Sequence, residues 1–207
     1  MTTSAQASPP WERYGPESDL SMAYLLTTEA RRRHALAAEH VRACAHVIEI
    51  GGYKVPITQH LVGEHASVTV VDPEVDAFET DSWNNRPCRI RHLPQRFQDV
   101  ALSPPPGDYG LVLLGLALRH FTPGCELSEW ARLTQLSRNA RVVIIEYCLG
   151  WPHAEADYAF LTVEAELTLR LQLDLTLPPS ASMDPCWATR RFCVLDPPRG
   201  ARAGQGD

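Results

Sequence analysis

The chain has 207 residues and a net charge of −6, with 25 acidic residues against 19 basic ones. This length suits one domain with a sizeable core, and 44% hydrophobic residues are typical of a globular protein. The acidic balance gives no support for a nucleic-acid partner, whose phosphates favour a basic face. The first residues lack a charged-then-apolar leader pattern, and no apolar run is long enough to predict a membrane span. We therefore expect a cytoplasmic protein without nucleic-acid or membrane partners.

The six cysteines are scattered along the chain. They form no Cys-x-x-Cys pair, and no paired Cys/His spacing of the kind that binds zinc is present. In a reducing compartment such cysteines are usually small core residues. We therefore predict no metal site.

The first half of the chain alternates helical and strand patterns. Residues 1–16 are rich in Pro and Ser and are predicted to be disordered. Residues 17–44 are predicted to form a helical segment that folds as a lid over the ligand-binding pocket of the domain that follows. Continuous apolar runs predict strands that are buried on both faces. The expected elements that follow are strand 45–50, helix 56–65, strand 66–72, short helix 73–83, strand 88–93 and a short helix or turn at 94–102.

The second half continues this alternation and closes with two strands. The expected elements are strand 109–118, helix 126–138, strand 140–147, helix 152–171, strands 173–180 and 189–196, and a disordered tail at 199–207. This order predicts an α/β fold with a seven-stranded, mostly parallel sheet and helices on both faces. The last two strands have a short connection and are expected to pair antiparallel. Residues 45–198 are predicted to form the ligand-binding domain.

A glycine turn follows the first strand in the stretch HVIEIGGYKVPIT, residues 46–58. Glu49 ends the apolar run, and Gly51 and Gly52 allow a sharp turn and close approach of a ligand. Asp72 ends the next strand, 21 residues after Gly51. An acid about 20 residues beyond such a loop accepts hydrogen bonds from a ribose diol, so the pattern indicates a nucleoside. A tight turn beside a solvated aspartate is the alternative interpretation.

The loop does not have the frame expected for a dinucleotide. A pyrophosphate favours Gly-x-Gly-x-x-Gly, because its oxygens accept from backbone N–H groups at a helix start. Here Tyr53, Lys54 and Val55 follow the glycines, and Pro56 removes one N–H donor. A cofactor without phosphate tolerates a bulkier loop. S-adenosylmethionine is such a cofactor, because it is adenosine that carries an amino acid.

From Ala45 to Asp196 the pattern resembles that of class I S-adenosylmethionine-dependent methyltransferases. The matching features are the acid and glycine of the first strand, the acid ending the second, and the run LVLLGLALRHF around Gly115. Tyr53 and Val55 stand where that family has its second and third glycines. The resemblance implies S-adenosylmethionine as methyl donor or as substrate, held by Glu49, Gly51, Gly52, Tyr53, Asp72, Pro73, Gly115 and Leu116.

Chemistry on a sulfonium needs positioning, exclusion of water and, for some acceptors, a base. Aromatic faces hold cations, and the candidates for the substrate side are Tyr14, Tyr24, Trp151 and Tyr158. The catalytic candidates are His120, Tyr147 and His153. Glu146, at the end of the fifth strand, is a candidate to hydrogen-bond an ammonium. Ordinary packing or surface exposure is the alternative for each of these residues.

Three functions remain open at this point. The first is methyl transfer to a small-molecule acceptor in specialised metabolism. The second is attack on the aminocarboxypropyl carbon of the cofactor, as in azetidine-2-carboxylate synthases, which expels methylthioadenosine. The third is a non-catalytic methyltransferase-like interaction protein. A nicotinamide oxidoreductase is disfavoured by the glycine frame, and a homodimer is the oligomer under consideration.

Overall fold

The computed structural model describes Pro9 and residues 28–114, 127–151, 154–176 and 188–198. The helices in these ranges are α1 (Thr28–Val41), α2 (Leu127–Asn139) and α3 (Ala154–Glu164), with 3-10 helices at Ile57–His60 and Phe97–Asp99. The strands are β1 (His46–Ile50), β2 (Ser67–Val71), β3 (Phe78–Trp83), β4 (Arg86–Leu93), β5 (Tyr109–Leu113), β6 (Val142–Cys148), β7 (Thr168–Thr176) and β8 (Thr189–Asp196). None of the described helices has the length and apolar character of a bilayer-spanning segment.

A single sheet holds these strands in the order β3-β4-β2-β1-β5-β6-β8-β7. The five strands from β4 to β6 run parallel, β3 pairs antiparallel with β4, and β8 pairs antiparallel with both β6 and β7. The predicted α/β class, the mostly parallel sheet and the terminal antiparallel pair are confirmed. The sheet has eight strands rather than seven, because β3 adds an edge strand that we predicted as helix.

Helices cover both faces of the sheet, as predicted. Successive residues of a strand point to opposite faces, and the two cores divide accordingly. On one face Val47 packs in a cluster with Ala37 of α1. On the other face Ile48 packs with Leu133 of α2 and Leu161 of α3. We call these the α1 face and the α2/α3 face. Strands β1, β5 and β6 are buried on both faces, which explains their uninterrupted apolar runs.

The helix predicted at 56–65 is wrong beyond a single turn. Only Ile57–His60 is helical, as a 3-10 helix, and Leu61 is extended with φ −69° and ψ 126°. A side chain at Gly63 would lie 2.5 Å from the carbonyl oxygen of Arg42, so the chain passes directly against the end of α1. The segment after His60 therefore crosses the end of α1 before it enters β2.

The short helix predicted at 73–83 is also wrong, because Phe78–Trp83 forms β3. Asn84 and Asn85 have φ values of 50° and 61°, which suit the two central positions of a tight hairpin turn. The side chains of β3 alternate between partly buried and exposed along most of the strand. An Asn-Asn pair after an alternating run was the available signal for a hairpin.

The predicted boundary between the last helix and the last strands is misplaced. We expected a helix over 152–171, but α3 ends at Glu164 and β7 begins at Thr168. Glu166 lies between them with φ 54°, a left-handed conformation that ends the helix. The strand expected at 173–180 is therefore Thr168–Thr176, whereas the strand expected at 189–196 is confirmed.

Candidate functional site

The parallel strands β4, β2, β1, β5 and β6 end along one edge of the sheet, which we call the rim. The registers align Ile50 of β1 with Val71 of β2 and with Leu113 of β5. Ligands of open parallel sheets bind outside these carboxyl ends. Glu49, Gly51, Gly52, Tyr53, Asp72 and Pro73 lie at the rim, as their positions in the sequence predict.

The Glu49 carboxyl group lies beneath the turn that follows β1. It is fully buried, and its Oε2 accepts a 2.8 Å hydrogen bond from the backbone N–H of Ile57. A Cβ atom at Gly52 would lie 3.0 Å from this Oε2 and 2.6 Å from a methyl group of Val70. Gly52 is therefore required for the turn to close over the carboxyl group. The Oε1 atom is buried and has no hydrogen-bond partner among the described residues.

The turn itself uses two left-handed residues. Gly51 has φ 92° and Tyr53 has φ 47°. For tyrosine this conformation costs about 1–3 kcal/mol, so the surrounding contacts must hold it. Gly51 donates to the carbonyl of Val71 at 3.0 Å, and Lys54 lies 3.9 Å from Asp76 in the loop after β2. These contacts join the turn after β1 to the loop after β2.

Asp72 opens the loop after β2. Its Oδ1 accepts a 2.7 Å hydrogen bond from the backbone N–H of Glu74, and its own N–H donates to the carbonyl of Leu93 at 3.2 Å. The side chain is partly buried, and its charge contributes to raising the pKa of Glu49. The two carboxyl groups are therefore close enough to interact at the same part of the rim. Pro73, beside Asp72, is exposed.

Burial raises the pKa of Glu49 to about 8. The hydrogen bond from Ile57 and the charge of Arg33 oppose this shift, and the charge of Asp72 adds to it. At neutral pH the buried group therefore holds a proton. The Glu49 carboxyl group beneath the turn is therefore neutral and does not add a second negative charge beside Asp72.

The free energy of unfolding of Glu49→Gln, relative to that of wild type, is expected to increase as the pH rises from 5 to 8. The unfolded carboxyl loses its proton near 4.5 and the folded one near 8, so the stability that the protonated group contributes is complete below 4.5 and is lost as the pH approaches 8. The stability difference between variant and wild type should change by at most about 1.4 kcal/mol per pH unit. Urea unfolding of both chains at pH 5, 6.5 and 8 measures it, and a constant difference would contradict the buried acid.

Imidazole groups, which the sequence analysis did not single out, lie beside the turn on the α1 face. The rings of His34 and His60 stack with centroids 5.1 Å apart. Burial, together with the charges of Arg31 and Arg33, lowers the pKa of His60 to about 4. His92 of β4 and Thr58 are both buried. The Thr58 hydroxyl lies 2.9 Å from Nε2 of His92. Burial lowers the pKa of His92 to about 4 as well.

A buried ion cluster joins α1 to the rim. Arg33 donates to Oε2 of Glu146 at 2.6 Å, and Arg190 of β8 lies 3.5 Å from Oε1. All three side chains are almost completely buried. Both oxygens of Glu146 face guanidinium groups, so the expected role of Glu146 as a partner for a ligand ammonium is not supported.

This cluster also fixes the direction of α1. Arg33 contacts the end of β6, whereas Val41, at the other end of α1, lies against Gly110 at the start of β5. The helix therefore runs antiparallel to the central strands, and Thr28 lies at its rim end.

Tyr147 and Tyr158 form a stacked pair on the α2/α3 face, with ring centroids 5.0 Å apart. Burial raises the pKa of both hydroxyls, while a hydrogen bond from Arg191 opposes the shift at Tyr147. Arg191 in turn holds Asp174 through two contacts of 2.8 and 3.0 Å. The pair lies at the end of β6 but across the sheet from Glu49. Its catalytic and substrate roles stay predictions.

The other predicted residues fall in different places. Trp151 lies just after β6, where its backbone N–H donates to the carbonyl of Cys148 at 3.3 Å. The remaining candidates, Tyr14, Tyr24, Gly115, Leu116, His120 and His153, lie outside the described residues. In the described ranges no three His, Cys, Asp or Glu side chains are grouped as metal ligands. A groove of about 380 Å³ between residues 98–102 and Arg132 contains none of the predicted site residues.

Comparison with known proteins gives no match to a protein-family model and none to a curated protein sequence. Solved structures do match. The N-methyltransferase NodS from Bradyrhizobium japonicum WM9, in complex with S-adenosyl-L-homocysteine, superposes with a TM-score of 0.62 at 14% identity, over 91% of this chain and 96% of that one. The chain has the class I methyltransferase fold.

Two further structures with the methyltransferase fold agree over most of their length. The 1,6-didemethyltoxoflavin-N1-methyltransferase of Burkholderia thailandensis, with bound 1,6-didemethyltoxoflavin and S-adenosylhomocysteine, has a TM-score of 0.58 at 18% identity, over 93% of this chain and 92% of that one. The magnesium protoporphyrin IX methyltransferase of Synechocystis PCC 6803, with bound S-adenosylmethionine, has a TM-score of 0.53 at 13% identity, over 86% and 82%. At these identities the similarity establishes the methyltransferase fold alone.

Proposed function

We propose that the chain is an S-adenosylmethionine-dependent methyltransferase that acts on a small molecule, as a cytoplasmic enzyme of specialised metabolism. The observation that carries the proposal is the pairing, at one part of the rim, of a tight glycine turn with the carboxylate of Asp72. The fold places both at the end of neighbouring strands. A carboxylate in this position is suited to accept hydrogen bonds from the two hydroxyls of a ribose.

The turn favours a nucleoside cofactor without phosphate. A pyrophosphate needs free N–H groups at the start of a helix. Here the helical segment has four residues, and the N–H of its first residue, Ile57, already donates to Glu49. Pro56, just before it, has no N–H to offer. These features argue against a dinucleotide and are compatible with the methionine arm of S-adenosylmethionine.

Gly52 and Glu49 shape the turn from beneath. A Cβ atom at Gly52 would lie against Val70 and Glu49, so glycine lets the turn close over the buried carboxyl group, whose Oε1 has no described hydrogen-bond partner. When bound, the cofactor supplies an activated methyl group on sulfur. Asp72 would hold the sugar, and the turn from Gly51 to Tyr53 would lie against the amino-acid arm. Gly115, Leu116 and Pro73 are proposed to complete the contacts.

The chain's own contribution to transfer is orientation and exclusion of water. Because Thr28, the first residue of α1, lies at the rim end of that helix, we propose that the residues before it form a lid that brings Tyr14 and Tyr24 to the acceptor. His120 and His153 follow β5 and β6 in sequence, and we propose that one of them takes a proton from an acceptor hydroxyl or ammonium. Tyr147 is proposed as a further catalytic group, and Trp151 and Tyr158 are proposed to line the acceptor side.

Product analysis tests this proposal. Purified protein is incubated with S-adenosylmethionine, with and without a panel of small amines and phenols, and the products are identified by mass spectrometry. We expect S-adenosylhomocysteine and a methylated product that form only when an acceptor is present. Methylthioadenosine with azetidine-2-carboxylate, formed without acceptor, would instead establish attack of the cofactor's own amine on its γ-carbon. Binding without any product across the panel would favour a non-catalytic partner.

A further inference from the structure

Strand β7 forms one edge of the sheet. It pairs only with β8 among the described strands, so one side of its backbone has no partner within the part of the chain that the structure describes. It is nine residues long, and most of its residues are exposed, including Leu169 at 48%. Natural edge strands are usually short or shielded, because an open row of N–H and C=O groups pairs with other chains. A long open edge is therefore an interaction surface.

The sequence of β7, TLRLQLDLT, alternates leucine with polar residues. Leu171, Leu173 and Leu175 lie opposite Val194, Phe192 and Arg190 and point to the α1 face. Gln172 and Asp174 lie opposite Cys193 and Arg191 and point to the α2/α3 face. A bulge interrupts the pairing between Leu169 and Leu171, so the regular edge runs from Leu171 to Thr176.

We infer that β7 pairs antiparallel with β7 of a second copy of the chain, across a two-fold axis at Leu173. In this register Leu171 lies opposite the second copy's Leu175, and leucines continue along the α1 face of both sheets. On the opposite face Gln172 lies beside the second copy's Asp174, whose carboxylate accepts from the amide. No two like charges face each other, since Asp174 never meets its own copy.

The opposite edge of the sheet shows what an edge that resists self-pairing looks like. β3 has two exposed acids, Glu79 and Asp81, and no basic residue, whereas β7 has one arginine and one aspartate. Two copies of β3 would therefore bring negative charges together along the seam. The contrast identifies β7 as the edge that fits a second copy, and it gives the predicted homodimer a definite interface.

The seam is small. Six regular residues on each chain bury less surface than the 1,200 Å² or so that stable interfaces exceed, so the dimer is expected to depend on protein concentration. Sedimentation velocity of the full chain over a hundredfold range of concentration measures the dissociation constant. Hydrogen exchange at the two ends of this range locates the seam, because the outward amides of residues 171–176 become protected only in the dimer.

Charge changes at Gln172 test the register. Gln172→Glu places a second carboxylate beside Asp174 of the other copy, twice across the axis, and should raise the dissociation constant about three- to thirtyfold. Gln172→Lys should lower it by a similar factor. Gln135→Glu, the same change at an exposed position of α2, serves as the control and should leave it unaltered.

Three results would overturn the inference. They are a monomer at every concentration, a dimer that responds alike to all Gln172 variants, and a dimer without new protection in β7. Because Gln172 is exposed, each variant is expected to keep the fold, which circular dichroism verifies. Since β7 lies away from Asp72, the outcome is independent of whether the chain binds S-adenosylmethionine.

Discussion

Replacing Asp72 with asparagine is expected to weaken the binding of S-adenosylhomocysteine about ten- to hundredfold. An asparagine oxygen still accepts from the N–H of Glu74, so the loop after β2 keeps its turn. What disappears is the charge-assisted acceptor for the ribose hydroxyls, and such hydrogen bonds contribute about 1.5–3 kcal/mol. Isothermal titration calorimetry of wild-type and variant chains gives the two dissociation constants.

The control for this experiment lies two residues away. Glu74→Gln removes an exposed carboxylate from the same loop and leaves the backbone N–H that Asp72 uses. Its dissociation constant should stay within about twofold of wild type, because the side chain of Glu74 is exposed and charge interactions at exposed positions are weak. If Asp72→Asn binds as tightly as Glu74→Gln, the sugar is held elsewhere, and the proposed cofactor position is wrong.

Replacing Arg33 with alanine is expected to lower the free energy of unfolding by about 3–5 kcal/mol. The substitution removes the 2.6 Å partner of a fully buried carboxylate and leaves Glu146 with Arg190 at 3.5 Å. A buried charge that loses its partner is far more costly than an exposed one. Urea unfolding, followed by circular dichroism, measures the loss.

The chain offers an exposed ion pair as a matched comparison. Arg86 lies 2.7 Å from Glu64, almost the same separation, but both side chains are mostly exposed. Arg86→Ala should therefore cost no more than about 1 kcal/mol. The triple variant Arg33→Met, Glu146→Met and Arg190→Met should recover much of the stability, since apolar residues can replace all members of a buried ion cluster. Equal losses in Arg33→Ala and Arg86→Ala would contradict a structural role for the buried cluster.

The centre of the fold was predictable from sequence because its strands are buried on both faces. Strands β1, β2, β5 and β6 appear as continuous apolar runs, and their order along the chain is sufficient to predict a parallel sheet. Glu49 and Asp72 were found for the same reason, since each closes or follows such a run. Their positions at the rim result from strand order alone.

β3 was predicted as helix, and the first part of β7 was assigned to the preceding helix, for the opposite reason. β3 and β7 each have exposed positions, so polar residues interrupt their apolar pattern, and the Glu, Ala and Leu residues near β7 favour helix in a local reading. The Asn84–Asn85 turn and the alternation of leucine in β7 were the signals that could have decided the matter.

The buried cluster could not be predicted at all. Arg33 and Glu146 are 113 positions apart in the chain, and no spacing rule connects them. The stacked His34 and His60 depend likewise on how α1 packs against the segment after β1. Long-range pairing of polar side chains is a property of the folded packing, which local patterns do not contain.

One face of the β3–β4 hairpin is exposed to solvent. Glu79, Arg89 and Arg91 are exposed on this face and form only ion pairs of 3.6 Å, so the hairpin packs against the core through its other face. Elements with little buried surface open locally at low free-energy cost. Asp72 begins the loop between the well-packed strand β2 and this hairpin. A ligand bound to Asp72 should therefore reduce the local opening of the β3–β4 hairpin. The effect should extend to Asn84 and Asn85, the turn of the hairpin at the end of β4 that is remote from Asp72.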